Sequence, residues 1–133
     1  MLRIESLTLR EIAMNLKEPF QISSGTQSQR RILLVELEDT DGAVAWGECA
    51  AGEFPNYGPG TIGTAWLAIR EWVAPRVLGQ TFAGPELIYP ALEVNFRGHH
   101  MAKAAVALGA WALAAASDGM PLSKKLGGTR DRI

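Results

Sequence analysis

Few residues in this chain have the type and spacing that catalysis or metal binding requires. His99 and His100 are adjacent, so on a helix their side chains diverge by about 100° and cannot both face one ion without further ligands. No cysteine or acid is spaced to supply those ligands, and the pair reads as a polar helix N-terminus or loop. Cys49, the one cysteine, stands at the end of a predicted strand beside Glu48. That charge would raise a thiol pKa rather than lower it, so Cys49 reads as a small buried residue. Gly58-Pro59-Gly60 precedes a helix start as an anion-binding turn would, yet no Gly-x-Gly-x-x-Gly pattern or Walker lysine follows. Lys124-Lys125 reads as a solvated face, and the two glycines after Leu126 as a helix C-cap. Residue inventory thus gives no catalytic set and no metal ligands. What remain are two irregular segments, around 18–29 and 50–60, whose aromatic, Ser, Thr and Gln groups suit gripping a ligand.

The elements around those segments are expected to form an α+β domain: a three-stranded antiparallel meander followed by a layer of three to four helices. Apolar residues alternate at 2 and 4, then at 7, 9 and 12, which predicts a long strand with a bulge near Glu5-Ser6. Residues 30–38 are rich in branched side chains, and Asp41-Gly42 signals a hairpin into a return strand over 43–49. The polar run from Lys17 to Gln29 is too long for a hairpin turn and is expected to be a loop. From Thr61, a plausible N-cap, the period changes: Trp66, Ile69, Val73 and Val77 fall on one helical stripe, which Pro75 should bend and Gly79 end. A shorter helix is predicted over 86–94. The strongest helix runs from His100 to Ser117, with nine alanines between Ala102 and Ala116 and Lys103 as its only charge. Such an apolar helix sits centrally in a helical layer or faces a partner outside the chain.

Length and composition agree with one domain, 1–133, with its sheet in 1–50 and its helical part in 61–128. The chain has 133 residues, 47% hydrophobic and 20% charged, and a formal net charge of −1. That balance excludes a disordered tail and lacks the basic footprint of a nucleic-acid binder, so no nucleic-acid partner is expected. No stretch is long and apolar enough for a signal peptide or a membrane span, so no membrane partner is expected and the protein reads as cytoplasmic. A (β/α)8 barrel takes about 250 residues, which this length excludes.

The order of motifs adds a resemblance. Met14-x-Leu16-x-x-Pro19-Phe20, Ser24-Gly25-Thr26-Gln27, Trp46-Gly47-Glu48-Cys49, Arg97-Gly98-His99-His100-Met101-Ala102-Lys103, and Gly119-x-Pro121-Leu122 with Leu126-Gly127-Gly128 follow one another along essentially the whole chain. Together they resemble the N-terminal capping domain of the enolase superfamily, within it the o-succinylbenzoate synthase/N-acylamino acid racemase group of the muconate-lactonizing-type enzymes. The Gly-His-His-Met-Ala-Lys run narrows the resemblance to that branch. It implies a cap whose two loops close over a C-terminal (β/α)8 barrel and touch a small carboxylate substrate. By position, the loop residues are Phe20, Ile22, Ser23, Ser24 and Thr26 in the first and Glu53, Phe54 and Tyr57 in the second. It also implies that the acid–base lysines and the carboxylates holding Mg²⁺ lie in the barrel, because abstracting a proton beside a carboxylate needs a cation to absorb the developing charge. This chain would carry no cofactor and be inert alone.

Departures from the family pattern leave the substrate open. Ala107 and Ala112 stand where relatives carry acids, and Phe20-Gln21-Ile22-Ser23-Ser24 replaces the more usual Phe-Arg-Thr-Ser-Phe/Tyr. A cap of a dipeptide epimerase or muconate cycloisomerase is one alternative. The other is a stand-alone module that forms a homo-oligomer through its apolar helix, with no catalysis.

Overall fold

Alternating branched residues build the sheet, and the computed structural model, which describes residues 1–132, shows four strands in it. β1 (Leu2–Ile22), β2 (Gly25–Asp39) and β3 (Val44–Cys49) form the expected antiparallel meander, and β4 (Thr81–Phe82) pairs with Leu2 and Arg3 on its outer edge, giving the order β3-β2-β1-β4. A strand of two residues has no period to read, which is why the fourth strand was not anticipated. The register of β1 on β2 shifts between Ile4 and Ser6, where the bulge was predicted.

The turn from β2 to β3 is fixed by Asp39. Its carboxylate accepts the backbone N–H groups of Asp41 and Ala43, each at 2.9 Å, and the hydroxyl of Ser117. Burial by itself would raise the Asp39 pKa, but Ser117 and the turn amides outweigh it and hold the carboxyl below its usual range.

The polar run predicted as a loop is instead the far end of a hairpin. β1 and β2 continue past the body of the sheet as a two-stranded arm, pairing Ile22 with Gly25 across a two-residue turn at Ser23-Ser24. Leu16–Pro19 of β1 stand opposite Ser28 alone, because Pro19 has no N–H to give the ladder and the extra residues bulge out. Both faces of the arm are exposed, so nothing selects apolar residues at alternate positions.

Helices cover one face of the sheet. α1 (Ile62–Ala68) begins at Thr61 with a reciprocal cap: the Thr61 hydroxyl accepts the Thr64 N–H at 3.2 Å, and the Thr64 hydroxyl accepts the Thr61 N–H at 2.8 Å. A π-helical stretch, Ile69–Val73, joins it to α2 (Ala74–Val77), with the Ala74 N–H bonded to the Ile69 carbonyl. Pro75 explains the widened turn, since it cannot donate to the carbonyl one turn back. Ile69, Val73 and Val77 are fully buried and Trp66 is half-buried, so the predicted stripe is the packed face. After a 3-10 turn (Pro85–Leu87) come α3 (Ile88–Glu93), α4 (His100–Ser117) and α5 (Leu122–Lys125).

α4 is central in this layer, the first of its two expected placements. Ala102, Ala105, Val106, Ala110 and Leu113 are buried with Leu33, Val35 and Leu37 of β2 and Ala45 and Cys49 of β3 in one core. Small residues let the helix lie close: a β-carbon added at Gly47 would run into the Ala105 carbonyl oxygen and sit 3.0 Å from the Gly109 nitrogen. Outside this contact Leu108 is exposed, and Ala104, Trp111 and Ala112 are half-buried.

Candidate functional site

A groove of about 610 Å³ opens between the hairpin arm and the segment 50–60. Phe20 of the arm and Glu53, Phe54 and Tyr57 of the second segment line it. Ile22, Ser23, Ser24 and Thr26 sit at the tip of the arm and are not among its lining residues. Phe54 is 72% exposed and Tyr57 wholly so, which leaves both rings free to meet a ligand.

Other lining residues were not expected from their positions in the chain. Leu16, Lys17, Arg30 and Arg31 come from the arm and Met101 from the first turn of α4. Arg30 and Arg31 fall at the start of the branched stretch 30–38. Met101 lies in the Gly-His-His-Met-Ala-Lys run, a signal that pointed to the family but not to the groove. Lys17, Arg30 and Arg31 line it with Glu18 and Glu53, and both arginines already pair with carboxylates, Arg30 with Glu48 and Arg31 with Glu11 and Glu53.

The turn that leads into α4 is held by a buried lysine. Lys103 is fully buried, yet its ammonium donates to the Glu93 carboxylate at 2.6 Å and to the Phe96 carbonyl, and lies 4.3 Å from the centre of the Phe96 ring. Lys103 thereby holds the Glu93 carboxyl below its ordinary pKa, chiefly through that hydrogen bond. Arg76 closes the other side, donating to the Val94 carbonyl at 2.6 Å, with its guanidinium 5.1 Å from the Phe96 ring centre. Between them Asn95, Gly98 and His99 all have positive φ, a turn that costs energy at the two non-glycine positions and persists because these cations fix it. α4 and Met101 start from this turn.

Among the described residues no group of three or more His, Cys, Asp or Glu is placed to hold a metal ion. His100 Nδ1 is 3.0 Å from the Tyr89 hydroxyl, and the His99 ring packs against Trp72 at 5.2 Å, so the two histidines serve different contacts. Burial, with Glu48 adding to it, pushes the Cys49 thiol up, the opposite of the shift that activates a nucleophile. Lys124 and Lys125 pair with Asp131 and Asp118. Among the described residues no helix is long and apolar enough to cross a membrane.

With that geometry in place, residues 4–127 match the N-terminal domain of the mandelate racemase/muconate lactonizing enzyme family. The chain belongs to this family. It is the capping-domain part of the enolase superfamily, with the α+β architecture the sequence predicted. The o-succinylbenzoate synthase of Bacillus subtilis is 38% identical over 133 residues, covering 100% of this chain and 36% of that protein. The N-succinylamino acid racemase of Thermus thermophilus is 37% identical over 132 residues, 99% of this chain and 35% of the racemase. In structure, the L-Ala-D/L-Glu epimerase of Bacillus subtilis, solved with substrate bound, superposes with a TM-score of 0.85 at 30% identity, covering 97% of this chain and 35% of the epimerase. The chain therefore spans about a third of the length of the relatives it matches.

Proposed function

We propose that this chain is the substrate-selecting cap of an o-succinylbenzoate synthase/N-succinylamino acid racemase-type enzyme, and that the chemistry belongs to a barrel domain outside it. Whole-chain similarity to a synthase and a racemase, each matched over only its first third or so, carries this reading. The groove supports it: apolar rings beside cationic side chains suit a small carboxylate, and two protruding segments suit closing over it and excluding water. Abstraction of a proton beside a carboxylate needs a base, an acid and a cation, and the described residues do not form a site for Mg²⁺. The resemblance assigns that ion to the barrel. Localisation in the cytoplasm belongs to the same proposal.

A dipeptide epimerase is the second reading, favoured by the epimerase superposition. A homodimer through α4 is the third, favoured by exposed Leu108 beside half-buried Trp111 and Ala112. One assay separates the first two readings, and sedimentation of the chain tests the third. The 133-residue chain and the longer protein in which it is joined to a barrel are compared, with Mg²⁺, on N-succinylamino acids, the o-succinylbenzoate precursor, Ala-Glu dipeptides and muconate. The expected outcome is turnover of the first two by the longer protein and none by the chain alone. Preference for dipeptides would favour the epimerase. Turnover by the chain alone would overturn the assignment of the chemistry to the barrel.

A further inference from the structure

Glu53 and Arg31 make the only ion pair, among the described residues, that joins the segment 50–60 to the hairpin arm. Arg31 Nε lies 3.5 Å from Glu53 Oε1, while the same guanidinium pairs with Glu11 of β1. The backbone of Arg31 is fixed by its pairing with Ala13 in the β1–β2 ladder, and its guanidinium is held by Glu11. On the helical side the segment is tied one residue earlier, where the Gly52 carbonyl accepts the Ile62 N–H at 2.8 Å. From Glu53 to Gly58 the recorded backbone bond is a local one, Asn56 N–H to the Phe54 carbonyl at 2.9 Å. Phe54 and Tyr57 therefore hang from a residue clamped on both sides: by backbone at Gly52 and by charge at Glu53.

We propose that Arg31 is the positioning residue of the groove, a latch that holds Glu53 and so sets the distance of the Phe54 and Tyr57 rings from the arm. The planar guanidinium serves two carboxylates at once, Glu11 through the sheet and Glu53 through the loop, which a lysine ammonium on a flexible stem does less well. Arg31 does not touch the reacting atoms in this account; it acts through Glu53. Both partners are about half exposed, so the latch is a weak one that salt loosens. A weak latch suits a segment that must open for ligand entry and close again.

The test has two readouts, and the second rests on the proposed function. In the 133-residue chain, Glu53→Gln and Arg31→Lys should drop the NMR order parameters of amides 54–58 below about 0.6, leaving Leu33–Leu37 as they were. In the barrel-containing enzyme, Glu53→Gln should raise KM about three-fold with kcat within about a factor of two, as expected for an exposed ion pair that orders a binding segment. Raising salt should narrow the gap in KM between the unsubstituted enzyme and Glu53→Gln. Order parameters in Glu53→Gln equal to those of the unsubstituted chain, or a change in kcat with KM constant, would overturn the latch. If the longer protein turns over none of the substrates, the proposed function fails, and the order parameters still decide the latch.

Discussion

Replacing Gly47 by alanine should destabilise the chain by about 3 kcal/mol, as overpacking does when backbone cannot retreat. The new methyl would occupy the space of the Ala105 carbonyl oxygen, with the Gly109 nitrogen 3.0 Å away. Neither obstacle is the end of a flexible side chain; both are backbone of α4, so the helix must lift off β3 as a unit. Lifting it would open the packing of Ala105, Val106 and Ala110 over Leu37 and Ala45. Gly109 makes the reciprocal approach, since a β-carbon there would meet Leu37 at 3.0 Å and the Gly47 nitrogen at 3.2 Å. The Trp-Gly-Glu motif therefore has a packing reason: its glycine is where helix and sheet touch backbone to backbone. Gly58→Ala is the control, because nothing lies within 4 Å of its added carbon. Denaturant melts should show the first variant weakened and the second within about 0.5 kcal/mol of the parent. Equal stabilities would remove the close approach as an explanation of the motif.

Lys103→Met should cost about 2–3 kcal/mol and lower the melting temperature by about 10 °C. Methionine keeps the length and the contact with Phe96 but donates nothing, so the buried Phe96 carbonyl loses its partner and Glu93 loses its cation. The Glu93 carboxylate is 43% exposed and can turn to water, which keeps the penalty below that of a pair buried on both sides. The turn at 95–99 carries two non-glycine residues at positive φ, and with one of its two cationic ties gone it should relax. Met101 would then shift out of the groove. The measurement is a thermal melt of the variant beside a spectrum of the 95–101 amides. An unchanged melting temperature with an intact turn would show that Arg76 alone suffices.

How much of this was legible in the sequence depends on whether a residue answered to local or to distant constraints. α4 coincides with its predicted span, His100 to Ser117, because alanine content and the stop at Asp118-Gly119 are local signals. The Thr61 cap and the bulge after Ile4 were equally local. The hairpin arm was hidden because it is exposed on both faces and selects no apolar alternation. β4 was too short to carry a period, and the π-helical stretch arises from Pro75 acting on a turn that otherwise reads as α-helix.

Of the loop residues named by position from the resemblance, Phe20, Glu53, Phe54 and Tyr57 line the groove and Ile22, Ser23, Ser24 and Thr26 do not; their contact with a substrate remains a proposal. Arg31 and Met101 could not be assigned to the groove beforehand. They arrive from a strand and a helix that are separated in sequence, and only the packing of α4 on β3 brings them to one edge.

The central claim is that this domain chooses the substrate and leaves the reaction to another. Phe54→Ala with Tyr57→Ala tests it most directly, since both rings are exposed and the fold does not depend on them. The variant and its parent, each joined to the barrel, are compared by kcat/KM across N-succinylamino acids of increasing side-chain size, with the melting temperature measured alongside. The account predicts an unchanged melting temperature and a loss of about ten-fold for large side chains that shrinks for small ones. A specificity profile identical to the parent's would contradict it.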